Sequence, residues 1–312
     1  MNCGFRLGAL VLLAYAATAP IQCQPPKTNA AGAYIVPRTA DGQADLQGIW
    51  TNLTLTPLER PTELSGKAFF TPAEAVEYEK HAPEREFVYA FRERGNVVAT
   101  LRTSLIVDPP DGRLPAMTPD GKKRAADQAM EMKQHGFDGP ESRSPWERCI
   151  IATNNAGPPM MPTFNNSNYQ IVQGRGYVVI LSEQIHDARV IPVDGRPHLP
   201  ANVHQWMGNS TGHWEGNTLV VETANFDSRT HFAGTGAGLK LTERFTRTAA
   251  NMILYEFTVD DPATFTRPWT VQYPFVTTDG PLFEYACHEG NYAMKNMLSG
   301  ARAEEAAPKT SK

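Results

Sequence analysis

Residues 169–182 read Tyr-Gln-Ile-Val-Gln-Gly-Arg-Gly-Tyr-Val-Val-Ile-Leu-Ser, and the fold turns on how they are read. Tyr169–Gln173 and Tyr177–Ser182 are rich in aromatic and β-branched residues. Gly174-Arg175-Gly176 between them frees the backbone for a tight reversal, so the pattern predicts a β-hairpin. The same rhythm continues downstream. Arg189–Val193 ends at Asp194-Gly195, and His213-Trp214 faces Thr218–Thr223 across Glu215-Gly216-Asn217. Lys240–Arg247 and Met252–Val259 turn through Thr248–Asn251, Trp269–Tyr273 follows Asp260-Asp261-Pro262, and Phe283–Cys287 is expected to be the last strand. Upstream, Asp45–Leu55 and Ser104–Val107 add two more. About nine or ten short strands in sequential hairpins predict an all-β antiparallel meander, and closure into a barrel would remove its exposed edges.

Two or three short helices interrupt this pattern. Thr71-Pro72-Ala73-Glu74 is a capping box with proline at the first helical position, opening a helix through Lys80. A second helix is expected from Thr118-Pro119 to Gln134, stopped by Gly136, and a third from Tyr292 to Arg302.

The ends read as processing and linker segments. Residues 1–19 form a signal peptide: Arg6 is the basic start, Leu7–Tyr15 the apolar run, and Ala14-Tyr15-Ala16 the preferred cleavage site, because Pro20 disfavours Ala17-Thr18-Ala19. The apolar run falls well short of the roughly 20 residues a spanning helix needs. Pro20, Ile21 and Gln22 make a poor lipobox before Cys23. Residues 20–44 are a flexible tether rich in Pro, Ala, Gly and Gln, 45–302 a single domain, and 303–312 a disordered tail. The expected destination is the periplasm or the outside of the cell. A net charge of −4 without a basic run argues against nucleic acid, and nothing predicts membrane insertion of the mature chain. Of the four cysteines only Cys149 and Cys287 fall in the folded part, where an oxidising compartment would join them in a disulfide.

No strong catalytic motif is present, so candidate chemistry rests on local concentrations of polar and aromatic residues. Glu183-Gln184-Ile185-His186-Asp187-Ala188-Arg189 is the first. If extended, it places Glu183, Asp187 and Arg189 on one side and Gln184, His186 and Ala188 on the other. A histidine beside a carboxylate suits acid–base work near neutral pH. The second holds His198, His204, Trp206, His213 and Trp214, where Trp206 and His204 are candidate ligand contacts. The third, Tyr285-Ala286-Cys287-His288-Glu289, sits on the expected disulfide, which would hold His288 near Arg148 and Glu147. A rigid loop with Met160, Met161 and Asn166 reads as the lip of a cavity. His186, His204, His213 and His288, even with Glu215 or Glu289, are spaced unlike any metal motif, so no metal and no cofactor is expected.

Arg102–Arg113, Ile185–His198, Trp214–Asn225 and Tyr285–Tyr292 carry a resemblance to a functionally uncharacterised family of exported bacterial proteins. Gly48-Ile49-Trp50 resembles the Gly-x-Trp that opens lipocalin-type barrels. The resemblance covers the domain and implies a lipocalin-like barrel and export, but no reaction.

The expected function is an exported, cofactor-independent acid–base enzyme, a lyase or isomerase before a hydrolase. Its substrate would be a small aromatic, terpenoid or sugar-derived molecule held in a barrel mouth. His186 or His288 would carry the proton, Asp187 or Glu289 would tune it, Arg189 would hold an oxygen, and Tyr285 is a spare acid. The alternative is a non-catalytic, lipocalin-like carrier of a lipophilic or aromatic ligand in the cell envelope.

Overall fold

The computed structural model describes residues 34–81, 95–152, 157–163, 165–230 and 232–307. The expected signal peptide, the first part of the tether and the last residues of the tail lie outside the described residues. All elements below belong to one unit, Val36–Lys312.

The hairpin quoted above forms as read. β3 (Asn168–Gly174) pairs with β4 (Tyr177–Ser182), Gly174 opposite Tyr177, with Gly176 at φ +78° in the turn. Around it run β1 (Gly48–Thr51), β2 (Ile106–Asp108), β5 (Ala188–Pro192), β6 (Asn209–Glu215), β7 (Thr218–Ala224), β8 (Lys240–Ala249), β9 (Met252–Asp260) and β10 (Trp269–Thr277). They make a ten-stranded antiparallel sheet in the order β5-β4-β3-β1-β10-β9-β8-β7-β6, with β2 beside β10. The sheet is nearly closed into a barrel. The chain therefore has the all-β barrel with few helices that its strand pattern predicts.

The two end strands of that order, β5 and β6, face each other at a seam. Among the described residues no backbone ladder joins them. Side chains hold them together: Arg189 Nε donates to Ser210 Oγ at 3.0 Å, and Gly212 lies so close that a Cβ would stand 3.1 Å from Ile191 Cγ2.

Alternation puts one row of each strand inside. On β9 that row is Ile253, Tyr255, Phe257 and Val259; on β10 it is Trp269, Val271, Tyr273 and Phe275, all fully buried. Ring centroids of Tyr255 stand 4.9 Å from both Phe245 and Phe275, and Tyr169 stacks on Phe275 at 5.4 Å. Each such side chain contributes about 1.5–3 kcal/mol by leaving water. These inward side chains fill the space by touching one another.

One loop completes the filling. Met160 is fully buried, its carbonyl accepting from Asn52 Nδ2 at 2.9 Å and from the Tyr273 hydroxyl, while its N–H donates to Tyr255 Oη at 3.2 Å. Expected at a cavity lip, Met160 instead plugs the barrel, because unpaired hydroxyl and amide groups inside need backbone partners. Met161 is half-buried against the same core.

α1 (Pro72–Lys80) begins with the predicted capping box, Thr71 and Glu74 exchanging hydrogen bonds. α2 (Pro119–His135) is capped by Thr118 Oγ1, and α3 (Ala293–Ala306) runs past the expected Arg302. Packing against the barrel begins before Asp45: Ala44 is fully buried, and its carbonyl accepts from Gln173 Nε2 at 3.0 Å. Phe283–Cys287 is not a strand. One edge of β10 is taken by β9, the other by β1 at Val276–Thr277 and β2 at Thr270–Val271, so no neighbouring edge remains for it.

Candidate functional site

The first polar concentration does not continue the strand. After β4 the chain makes a short 3-10 turn, Gln184–His186, with Ile185 at φ +59° and His186 at φ +44°. Left-handed backbone here breaks the expected alternation of Glu183–Arg189, so sides cannot be assigned by counting. Ser182 N–H donates to Asp187 O at 2.9 Å, which closes the turn and starts β5 at Ala188. The cause of the turn lies in Glu183. It is buried, and its carboxylate is held by Asn166 Nδ2 at 2.9 Å and Asn168 Nδ2 at 2.6 Å. Asn166, expected to touch a ligand, instead anchors this carboxylate from a left-handed position at φ +51°.

Asp187 stands half-buried where the turn meets β5. Its Oδ2 is buried and has no hydrogen-bond partner. Burial raises its pKa from 3.8 to about 6, against a smaller opposing effect of His186. Ser182 Oγ and Gln184 Oε1, in the same turn, are buried and unpartnered too. Three such atoms in six residues concentrate unpaired polar groups at one turn, although most buried polar groups are satisfied within the protein.

Asp187 opens onto a cleft of about 330 Å³ at the end of the β5–β6 seam. Ile150, Ile151, Trp206 and Met207 supply apolar walls; Gln205 and Ser210 add polar groups. Trp206 is half-buried, with the Arg229 guanidinium 4.2 Å from its ring centroid and its carbonyl accepting from Thr230 Oγ1 at 2.9 Å. Arg229 is itself held by Asp227, with contacts of 2.8 Å. The indole is thus held by Arg229 at the cleft wall.

Arg189, expected to hold a substrate oxygen, lines this cleft with its donors already engaged. Nη1 donates to Glu243 Oε1 at 3.0 Å, Nη2 to Thr223 Oγ1 at 2.9 Å and to Glu243 Oε2, and Nε to Ser210. Tyr255, whose pKa burial raises well above 10, keeps its proton and donates to Glu243 Oε1 at 2.8 Å. Glu243 was not singled out from sequence. The signal was there in Leu241-x-Glu243-x-Phe245, which places an acid on the inward row between two core side chains.

The C-terminal concentration forms a second cleft, about 350 Å³, beside the Cys149–Cys287 pair, whose Cα atoms are 5.8 Å apart at disulfide geometry. His288 lines it with Glu147, Arg148, Asn291 and Met294, so the expected neighbourhood of His288 forms. Ile150 borders both clefts. His288 and Glu289 are exposed, and Tyr285 is half-buried. His186 is exposed as well, and among the described residues no contact joins it to His288. His204 is exposed, His213 pairs with Glu215 at 3.2 Å, and His198 bonds Asn209 at 3.2 Å. Among the described residues no group of three His, Cys, Asp or Glu side chains could hold a metal ion.

Comparison with family models, with curated proteins and with solved structures finds no match to this chain.

Proposed function

We propose that the Asp187 cleft is an acid–base site acting on a small organic molecule, and that the protein is an exported enzyme. The observation that supports this most is the carboxyl of Asp187: half-buried, without a partner on Oδ2, and shifted towards neutral pH by burial. A carboxylate of that kind takes and returns protons near pH 6–7 more readily than a solvated one. Trp206, Ile150, Ile151 and Met207 would grip a flat or compact apolar body. Gln205 and Ser210 would orient its oxygens. Asp187 would take a proton from carbon and either return it to another carbon of the same molecule, completing an isomerisation, or hand it to the departing oxygen as the double bond forms, completing an elimination. His186, next to Asp187, would exchange the proton with water, and His288 would serve only a substrate reaching the second cleft.

Export is supported by the paired cysteines, which persist in oxidising compartments. No helix among the described residues is long and apolar enough to cross a membrane. The carrier reading is supported by the apolar walls of the same cleft, though not by the packed barrel interior. The test is to incubate the purified protein with a pool of small metabolites, alongside Asp187→Asn and a His186→Ala/His288→Ala variant. The enzyme reading expects depletion by the native protein and at least about a 100-fold slower rate with Asp187→Asn. Equal depletion by native and Asp187→Asn protein, or ligand retained without turnover, defeats it.

A further inference from the structure

The second cleft, about 350 Å³, is walled by two turns that the Cys149–Cys287 disulfide joins. On one turn Arg148 N–H donates to Ser144 O at 3.2 Å and Ile150 N–H to Pro145 O at 2.9 Å. On the other, Asn291 N–H donates to His288 O at 3.2 Å and Asn291 Nδ2 to Cys287 O at 2.9 Å. Arg148 and His288 each stand next to a bridged cysteine. With the cysteine Cα atoms 5.8 Å apart, the Cα atoms of Arg148 and His288 lie no more than about 13 Å from each other. Both residues line the same hollow.

Neither has a counter-charge. Among the described residues no group bonds the half-buried Arg148 guanidinium or the exposed His288 imidazole. Glu147 is the one acid among the described residues of the wall, and its carboxylate is taken. Its Oε1 accepts from Arg143 Nη2, and its Oε2 from Ser144 N–H at 3.0 Å and Ser144 Oγ at 2.8 Å. Glu141 and Glu289 are exposed and next in sequence to wall residues, yet they do not line the cleft. Met294, in the first turn of α3, also lines it. That turn has neither a side-chain cap nor an acid, so the helix end adds a smaller positive potential.

The rest of the wall is apolar, with Ile150 and Met294 half-buried and Pro140 beside them. A guanidinium offers a planar fork of donors that matches a carboxylate edge. Apolar side chains beside it favour a ligand that brings apolar surface of its own. The hollow therefore suits one acid group joined to a compact apolar body.

We propose that the cleft beside the disulfide binds small organic monocarboxylates. Arg148 and His288 hold the carboxylate by donated N–H bonds, and Ile150 and Met294 pack on the apolar body. The site is separate from Asp187 and does not depend on what the Asp187 cleft does.

The test titrates the full, oxidised chain at constant ionic strength with sodium phenylacetate, phenylacetamide and inorganic phosphate, read by calorimetry. Phenylacetate should bind saturably. Phenylacetamide keeps the shape without the charge, and phosphate keeps charge without the apolar body. Each should bind about tenfold more weakly or worse. Arg148→Gln, with circular dichroism matched to native, should weaken phenylacetate about tenfold or more, as loss of a charged hydrogen bond predicts. His288→Gln should weaken it in the same direction. Asp187→Asn should leave the affinity unchanged, which separates this site from the acid–base reading of the other cleft. Reduction with dithiothreitol should also weaken binding, because the two turns lose their link. If reduction disturbs the circular dichroism of the barrel, Arg148→Gln carries the comparison alone. No saturable binding, phenylacetamide or phosphate matching phenylacetate, or undiminished affinity in Arg148→Gln or in the reduced, folded chain would each overturn the proposal. So would a loss in Asp187→Asn as large as that in Arg148→Gln.

Discussion

Arg189 on β5 and Glu243 on β8 meet inside the barrel, Nη1 to Oε1 at 3.0 Å, although across the seam β6 and β7 lie between their strands. The pair spans the seam, and Ser210 and Thr223, from the two intervening strands, bond the same guanidinium. Removing one partner strands a charge that is almost wholly withdrawn from solvent. Glu243→Gln should therefore lower unfolding free energy by about 3–5 kcal/mol, whereas Arg189→Met combined with Glu243→Leu should cost much less. Urea unfolding of the single and double variants measures the difference.

Asp187 predicts an inverted pH response. Its folded pKa of about 6 lies above the ordinary 3.8, so the folded state binds more protons than the unfolded state between those values. Its contribution is fully present below pH 3.8 and is lost as pH rises through 6. Asp187→Asn should remove that decline and raise stability at pH 7 by about 1 kcal/mol, discounted for the part of the carboxyl that water still reaches. Thermal melts of native and variant protein from pH 4 to 8 decide it, and parallel curves would count against the desolvated carboxyl.

Gly212 predicts crowding at the seam. A Cβ there would stand 3.1 Å from Ile191 Cγ2 and 3.2 Å from both Val193 Cγ1 and the Val220 carbonyl. Gly212→Val should destabilise by about 1–3 kcal/mol, the usual cost of overpacking. Gly216→Ala, where nothing lies within 4 Å but φ is +61°, controls for backbone strain alone. Chemical denaturation of both variants gives the comparison.

The cysteine pair predicts local release. Among the described residues beyond Thr278 none pairs with a strand, and α3 has no buried residue. Besides the Cys149–Cys287 link, Arg302 Nη2 donates to Phe137 O at 2.6 Å. Reduction should make residues 279–292 the first site of limited proteolysis while the barrel stays intact, read by mass spectrometry of the fragments. Simultaneous cleavage throughout the barrel would contradict this.

Much of the barrel could be read from short-range pattern, because alternation and turn chemistry act over a few residues. The β3–β4 hairpin and the Thr71–Glu74 cap formed as their sequences predict. Phe283–Cys287 has strand composition, but whether a strand forms depends on a free edge, which only the closed topology decides. The turn at Gln184–His186 escaped for a related reason. It follows from Asn166 and Asn168 holding the buried Glu183 carboxylate, a contact across 15 to 17 residues that no local propensity encodes. Asp187, Arg189 and Trp206 do gather around one cleft. The inward position of Glu243 is legible in the alternation of Leu241-x-Glu243-x-Phe245, whereas its pairing with Arg189 depends on the closure of the sheet.

The seam between β5 and β6 gives the molecule a soft direction. Every other wall of the barrel resists spreading through a row of main-chain bonds that would have to break together, whereas this one is latched by a few side chains. A guest held in the proposed site beside Asp187 would press on this wall, directly above the Arg189 latch. Occupancy of the cleft would then be coupled to the width of the barrel. A substitution at Thr223, which is buried and does not line the cleft, should alter how fast such a guest comes and goes.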